Sequence, residues 1–296
     1  MDKTTYPDRT NLSALFSTQP PKYDFVLPGL LTGTVGMLNS PGGTGKSTLA
    51  LQIAAGVAIG NDDLGLGIDT SGDVLIIAAE DPPIALHHRL HSLGQQYHQD
   101  SLKTISEHTD IRCCVGLGID IMDDDWAVWL RKQAYGKRLV IIDTLTRVHC
   151  LDECDSGAAK QIMMRLEKIA TSTGAAILWL QHISKASAMG GLGGEQQAAR
   201  GSSVFVDTAR WAAFLVGMTP KEAVGFKIEI AERRRYIRFN VSKQNYAEPR
   251  ADLWLERGAG GILRACKPGV KSPLNLVNAN NYRAASGGKG LSHDQW

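Results

Sequence analysis

The chain lacks the cysteine pattern of a metalloprotein or of a disulfide-stapled domain. Its five cysteines, Cys113, Cys114, Cys150, Cys154 and Cys266, are odd in number and show no paired, zinc-type spacing. Cys150 and Cys154 have the separation that shares a helix face, but two thiols do not close a tetrahedral site. The set reads as buried or free thiols of a reducing cytosol. An excess of one charge is missing too. The formal net charge is +2, which excludes a basic nucleic-acid coat, so any DNA contact has to come from local loops or from an assembly. No apolar run is long enough to cross a bilayer, and Met1 to Tyr6 carry no signal-peptide core. The expectation is a cytoplasmic protein with no membrane partner.

What the chain does have is a glycine-rich loop between two apolar segments. Ser40-Pro41-Gly42-Gly43-Thr44-Gly45-Lys46-Ser47-Thr48 follows the strand-like stretch 34–39 and precedes the helix-like stretch 49–55. That is the strand, loop, helix setting of a phosphate-binding loop. Glycines let successive N–H groups turn toward phosphate oxygens, and the opening helix adds its positive end. Lys46 supplies a point charge on the phosphates, and the Ser47 hydroxyl is a Mg²⁺ ligand. The motif's first glycine is replaced by Ser40, which tolerates fewer backbone conformations, so the start of the loop is expected to differ in shape.

Three later apolar runs read as strands buried on both faces of a parallel sheet. The first, 74–79, ends in Glu80-Asp81-Pro82-Pro83, at the sheet edge where open α/β folds bind ligands. Glu80 has two readings there: general base for a hydrolytic water, or an acid complementing the next helix dipole. His87, His88 and His91 follow on that helix and read as surface or core positions, since a metal site would need a third ligand nearby. The second run ends in Ile142-Asp143, an aliphatic strand closed by the acid that holds Mg²⁺ through water beside Ser47. Asp123 to Asp125 precede a helical stretch, and capping accounts for them. The third run ends in Gln181-His182, either a γ-phosphate sensor or two satisfied polar groups at a strand end.

Beyond it, 184–203 is small, polar and glycine-rich, a long loop in which Lys185 and Arg200 could meet a phosphate backbone. The run 204–216 sets Arg210 among apolar residues. A buried arginine is costly unless paired, and reaching a neighbour's nucleotide is one solution. Arg233 to Arg235 read as a solvated strand edge or hairpin, with a DNA-facing patch as the alternative. Ile237, Phe239 and Val241 then alternate onto one face together with Lys243.

Several words in this order resemble those of the RecA-like hexameric replicative helicases, and among them the RepA-type helicases of mobilisable broad-host-range plasmids. They are Ser40 to Ser47, Ala79 to Pro83, His87 to His91, Ile142 to Leu145, His182 to Lys185, Arg200 to Ser203 and Val241 to Tyr246. Ser40 is what that family tends to carry. The family usually shows two histidines where this chain has Gln181-His182, which leaves the share of sensing between the two open.

The resemblance implies an α/β fold: a RecA-like P-loop NTPase core with a mostly parallel central sheet flanked by helices and an antiparallel C-terminal extension. It implies ATP and Mg²⁺ bound between subunits of a homo-hexamer that moves 5′ to 3′ on single-stranded DNA, with a plasmid initiator and a primase as conceivable partners. Carried over by position, Lys46 and Ser47 bind phosphate and Mg²⁺, Glu80 activates water, Asp143 organises Mg²⁺ and His182 senses the γ-phosphate. Arg210 is the arginine supplied to the neighbouring subunit's ATP, and Lys243 a second candidate for that role. A DNA-dependent ATPase acting as a filament or switch without unwinding shares all these nucleotide residues. The length suits one large domain over 24–266, with a polar arm at 1–23 and a Gly/Ser/Asn-rich tail at 267–296 expected to be mostly disordered.

Overall fold

The computed structural model describes residues 8–183 and 203–270. The chain opens with a short helix α1 (Leu12–Ser17) and a hairpin of β1 (Phe25–Leu27) and β2 (Leu30–Leu31). Then follow β3 (Val35–Ser40), α2 (Lys46–Ile59), β4 (Val74–Ala78), α3 (Pro83–Gly94), α4 (Gln99–His108) and β5 (Thr109–Cys113). The middle contains α5 (Asp124–Ala134), β6 (Leu139–Asp143), α6 (Ser156–Thr173), β7 (Ala176–His182) and α7 (Ser203–Thr208). The last part is β8 (Trp211–Gly217), α8 (Pro220–Gly225), β9 (Tyr236–Gln244), β10 (Leu253–Arg257) and β11 (Leu263–Cys266).

Among the described residues nine strands form one sheet in the order β11-β10-β9-β8-β3-β7-β6-β4-β5. From β5 to β8 every neighbouring pair is parallel. From β8 to β11 every pair is antiparallel. The uninterrupted aliphatic runs read from the sequence are the central strands: every residue of β3, β4 and β6 is buried. Alternation along those strands sends one set of side chains to each of two cores. Leu38, Leu178 and Ile141 join α2 on one face, while Met37, Trp179 and Ile142 join α5, α6 and α7 on the other. Fully burying one large side chain contributes about 1.5–3 kcal/mol, so these cores are the main support of the sheet. Helix α2 is buried almost all round rather than along one stripe, because α3 and α4 pack on the side that the sheet does not cover.

The other helices follow their sequence signals. The Asp123 side chain accepts from the Asp125 and Trp126 N–H groups at the start of α5, and Asp155 caps α6 in the same way. Residues Cys150 and Cys154 lie in the irregular segment ahead of α6 rather than on a helix, and all five cysteines are free. His87, His88 and His91 are exposed on α3, and the described residues contain no cluster of three or more metal-ligating side chains. Among the described residues no helix is long and apolar enough to cross a membrane.

Three expectations for the C-terminal half are corrected. Arg233 to Arg235 form a 3-10 turn, Glu232–Arg235, rather than a strand edge. Arg235 pairs there with Glu232 and Glu256, and Arg233 donates to the Met218 carbonyl. Arg210 is exposed, not buried among its apolar neighbours, because it occupies a bend between buried Ala209 and buried Trp211. Lys243 does not share the face of Ile237, Phe239 and Val241. The pairing shifts between Ala212↔Lys243 and Ala213↔Val241, so Ser242 is an extra residue, a β-bulge that turns Lys243 to the opposite face. The expectations for Lys185, Arg200 and most of the tail fall outside the described residues.

Candidate functional site

The parallel register delivers the candidate residues to one edge. Ser40 pairs with His182 across β3 and β7, and Ala78 pairs with Asp143 across β4 and β6. Glu80 follows β4 by two residues, so all three acidic or sensing positions reach the carboxyl ends of parallel strands, where the loop 41–45 also begins. A cleft of about 230 Å³ opens there, lined among others by Ser40, Lys46, Ser47, Glu80, His182 and Arg257.

The loop has the backbone its glycines allow. Gly43 and Gly45 adopt φ of 76° and 108°, which side chains with a Cβ rarely tolerate. Ser40 needs no such freedom: it is the last residue of β3, fully buried, and its φ is not positive. The departure from the general motif therefore leaves the loop intact. Gly45 is the N-cap of α2 and provides no side-chain hydrogen bond, so the first-turn N–H groups of the helix face the cleft without a capping partner. An anion is the natural complement of such an end.

The charged groups are set for a ligand of high charge. Lys46 is 4 % exposed and its Nζ has no hydrogen-bond partner. Burial pushes its pKa down, against the attraction of Asp143 and Glu80. Asp143 is also buried, and its Oδ1 is unpartnered. Burial raises the Asp143 pKa, opposed by a hydrogen bond from Ser47 and by Lys46 and reinforced by Glu80 and Asp81. A buried, half-satisfied carboxylate beside a serine hydroxyl and an orphaned ammonium is costly by itself. A hydrated Mg²⁺ at Ser47 and Asp143 and a phosphate at Lys46 would satisfy all three, so the donor set fits a magnesium nucleotide.

Glu80 is not a helix-dipole acid, because α3 starts after Pro82 and has no acid in its first turn. Its carboxylate instead meets His182, whose Nε2 lies 3.2 Å from both oxygens. Gln181 points the other way. It is buried beside Trp179, and its Nε2 donates to Glu153 at 3.1 Å. Glu153 also accepts from Thr146 at 2.9 Å and bonds the His149 ring at 3.2 Å, which ties the segment after Asp143 to the end of β7. Strand alternation thus divides the pair: His182 faces the cleft and Gln181 the second core.

Arg210 and Lys243 lie elsewhere. The Arg210 N–H donates to the carbonyl of Val35, the first residue of β3, while the phosphate loop follows its last. Five residue steps at about 3.3 Å separate the two ends. Lys243 donates to the Val206 and Asp207 carbonyls at the end of α7, and the positive charge of Arg210 acts on it. The two basic residues are neighbours at the edge opposite the chain's own cleft.

Three contributors had no local signature. Asp81 accepts from Arg89 at 2.6 and 3.3 Å, and Arg89 also donates to Thr48 at 3.3 Å, bracing α3 against α2 beside the cleft. Arg257 reaches the loop from β10. Only the proximity of Asp81 and Arg89 in sequence could have suggested a pair, since the other contacts cross the fold. The family model described as AAA domain matches residues 4–188, well over half of the 296 residues. The matched stretch contains the phosphate loop, Glu80, Asp143 and His182, and stops before β8.

Proposed function

The chain belongs to the AAA domain family and is a P-loop ATPase, and on that premise we propose that it is a DNA helicase of plasmid replication, akin to the RepA-type helicases. In this reading residues 24–266 form the helicase domain, with an arm before it and a tail after it. Six copies form a ring in the bacterial cytoplasm that hydrolyses ATP between subunits and moves 5′ to 3′ on single-stranded DNA, in concert with an initiator and a primase.

Lys46, with the loop from Gly42 to Thr48, binds the phosphates. Ser47 and Asp143 hold Mg²⁺, which neutralises charge on the β- and γ-phosphates when bound. Glu80 takes the proton of the attacking water, and His182 orients Glu80 and answers to the γ-phosphate. Arg210 of one subunit stabilises charge on the neighbour's transferred phosphoryl group, with Lys243 beside it as the second candidate. The observation that carries the reading is the separation of Arg210 from its own cleft: an exposed arginine at the far sheet edge can serve hydrolysis only in another copy.

Native mass with ATP and Mg²⁺, together with strand displacement from a forked duplex, tests it. Closed hexamers that displace the strand are expected. A closed hexamer that hydrolyses ATP but unwinds nothing overturns the helicase assignment, and open-ended polymers would favour a filament or switch.

A further inference from the structure

The C-terminal hairpin is built onto the phosphate loop. Leu263 of β11 exchanges two hydrogen bonds with the Gln52 side chain of α2: its N–H donates at 3.0 Å and its carbonyl accepts at 2.8 Å. Arg257 is the cross-strand partner of Leu263. It also lies two residues beyond the buried Leu255, so both project to the face that packs on α2. From there Arg257 Nη2 donates to the Gly43 carbonyl at 3.0 Å and to the Thr44 carbonyl at 2.6 Å. The guanidinium sits 3.6 Å from where a Cβ on Gly45 would stand.

A phosphate-binding loop has an unavoidable by-product. In a trans peptide the N–H and C=O point in opposite directions, so turning N–H groups toward an anion turns the preceding carbonyls away from it. Those carbonyls then need donors of their own. Arg257 supplies them for the peptide planes that carry the Thr44 and Gly45 N–H groups. The residue lies beyond the stretch matched by the AAA domain family.

We propose that Arg257 is a positioning residue for nucleotide binding, fixing the phosphate loop from outside by holding the Gly43 and Thr44 carbonyls. It acts through the backbone and not on the phosphates, so its effect is the same for di- and triphosphate. The inference rests on the nucleotide site itself and is independent of unwinding.

The experiment compares full-length wild type, Arg257→Ala and Arg257→Lys. It measures affinity for ADP and ATP by displacement of a fluorescent nucleotide in Mg²⁺, with turnover measured at saturating ATP. Losing a charge-assisted hydrogen bond predicts that Arg257→Ala weakens both nucleotides by the same factor, about tenfold, with turnover within about twofold. Lysine keeps the charge but offers a point donor instead of a fork, so Arg257→Lys is expected about threefold weaker for both. Unchanged affinity in Arg257→Lys overturns the proposal even if the alanine variant does not fold. A loss confined to ATP makes Arg257 a γ-phosphate ligand and overturns it as well. Wild-type protein that binds neither nucleotide removes the site altogether, whereas wild type that binds while both variants match it removes only the role of Arg257.

Discussion

His182 Nε2 stands 3.2 Å from each oxygen of Glu80, bridging the ends of β7 and β4. Two strands lie between the phosphate loop and β4 in the sheet, so this contact draws the acid back toward the loop side. Glu80→Gln keeps the shape and removes the proton acceptor. Its turnover should fall by about 10²–10⁴ with nucleotide affinity retained. Single-turnover hydrolysis beside a binding titration checks this, and hydrolysis close to wild type would exclude Glu80 as the base.

Asp143 and Lys46 face each other in a buried site where neither is fully satisfied. Asp143→Asn removes the charge that supports protonated Lys46 and the acceptor for metal-bound water. The Mg²⁺ concentration giving half-maximal ATPase should rise about tenfold or more, while binding of nucleotide without Mg²⁺ changes little. An unchanged Mg²⁺ dependence would place the metal elsewhere.

Arg210 invites a mixing experiment. Arg210→Ala alone should bind ATP and lose about 10³-fold or more in turnover. Combined with Glu80→Gln subunits, which bring an intact arginine but an inert site, it should regain part of the activity, because some interfaces then pair a wild-type Glu80 with a wild-type Arg210. Mixtures no more active than either variant alone would place the arginine's action within its own subunit.

Glu153 predicts a response to acid. Burial raises its pKa, but hydrogen bonds from His149, Thr146 and Gln181 and the charge of His149 outweigh that, so it lies below its usual value. A carboxyl held below its unfolded value contributes stability above that value and loses it as pH falls through the folded one. Wild type should lose denaturant resistance as pH drops below about 4.3, the ordinary glutamate value. Glu153→Gln should start less stable at neutral pH and decline less steeply. Parallel slopes in urea titrations at several pH values would remove Glu153 from the acid response.

Much of the parallel half of the fold was legible because its signals are local. Continuous aliphatic runs gave β4, β6 and β7, and a glycine loop between strand and helix announced itself within nine residues, Ser40 to Thr48. The residues that brace the site were not legible. Arg257 meets Thr44 across 213 positions, and Gln181 meets Glu153 across 28 positions, with partners fixed only by strand order. Arg210 misled for a related reason: apolar flanks describe the neighbours' burial, and one bend sufficed to exempt it.

The extra residue at Ser242 carries a lesson for anyone aligning or editing this strand. Deleting it would remove the bulge and leave Lys243 opposite Ala212, still on the side of the last α7 carbonyls, whereas keeping it in a strictly alternating strand would turn Lys243 toward the α2 side. Comparison by hydrophobic rhythm alone will therefore run one position out of phase beyond Val241, and a homologous strand one residue shorter there can present the same faces.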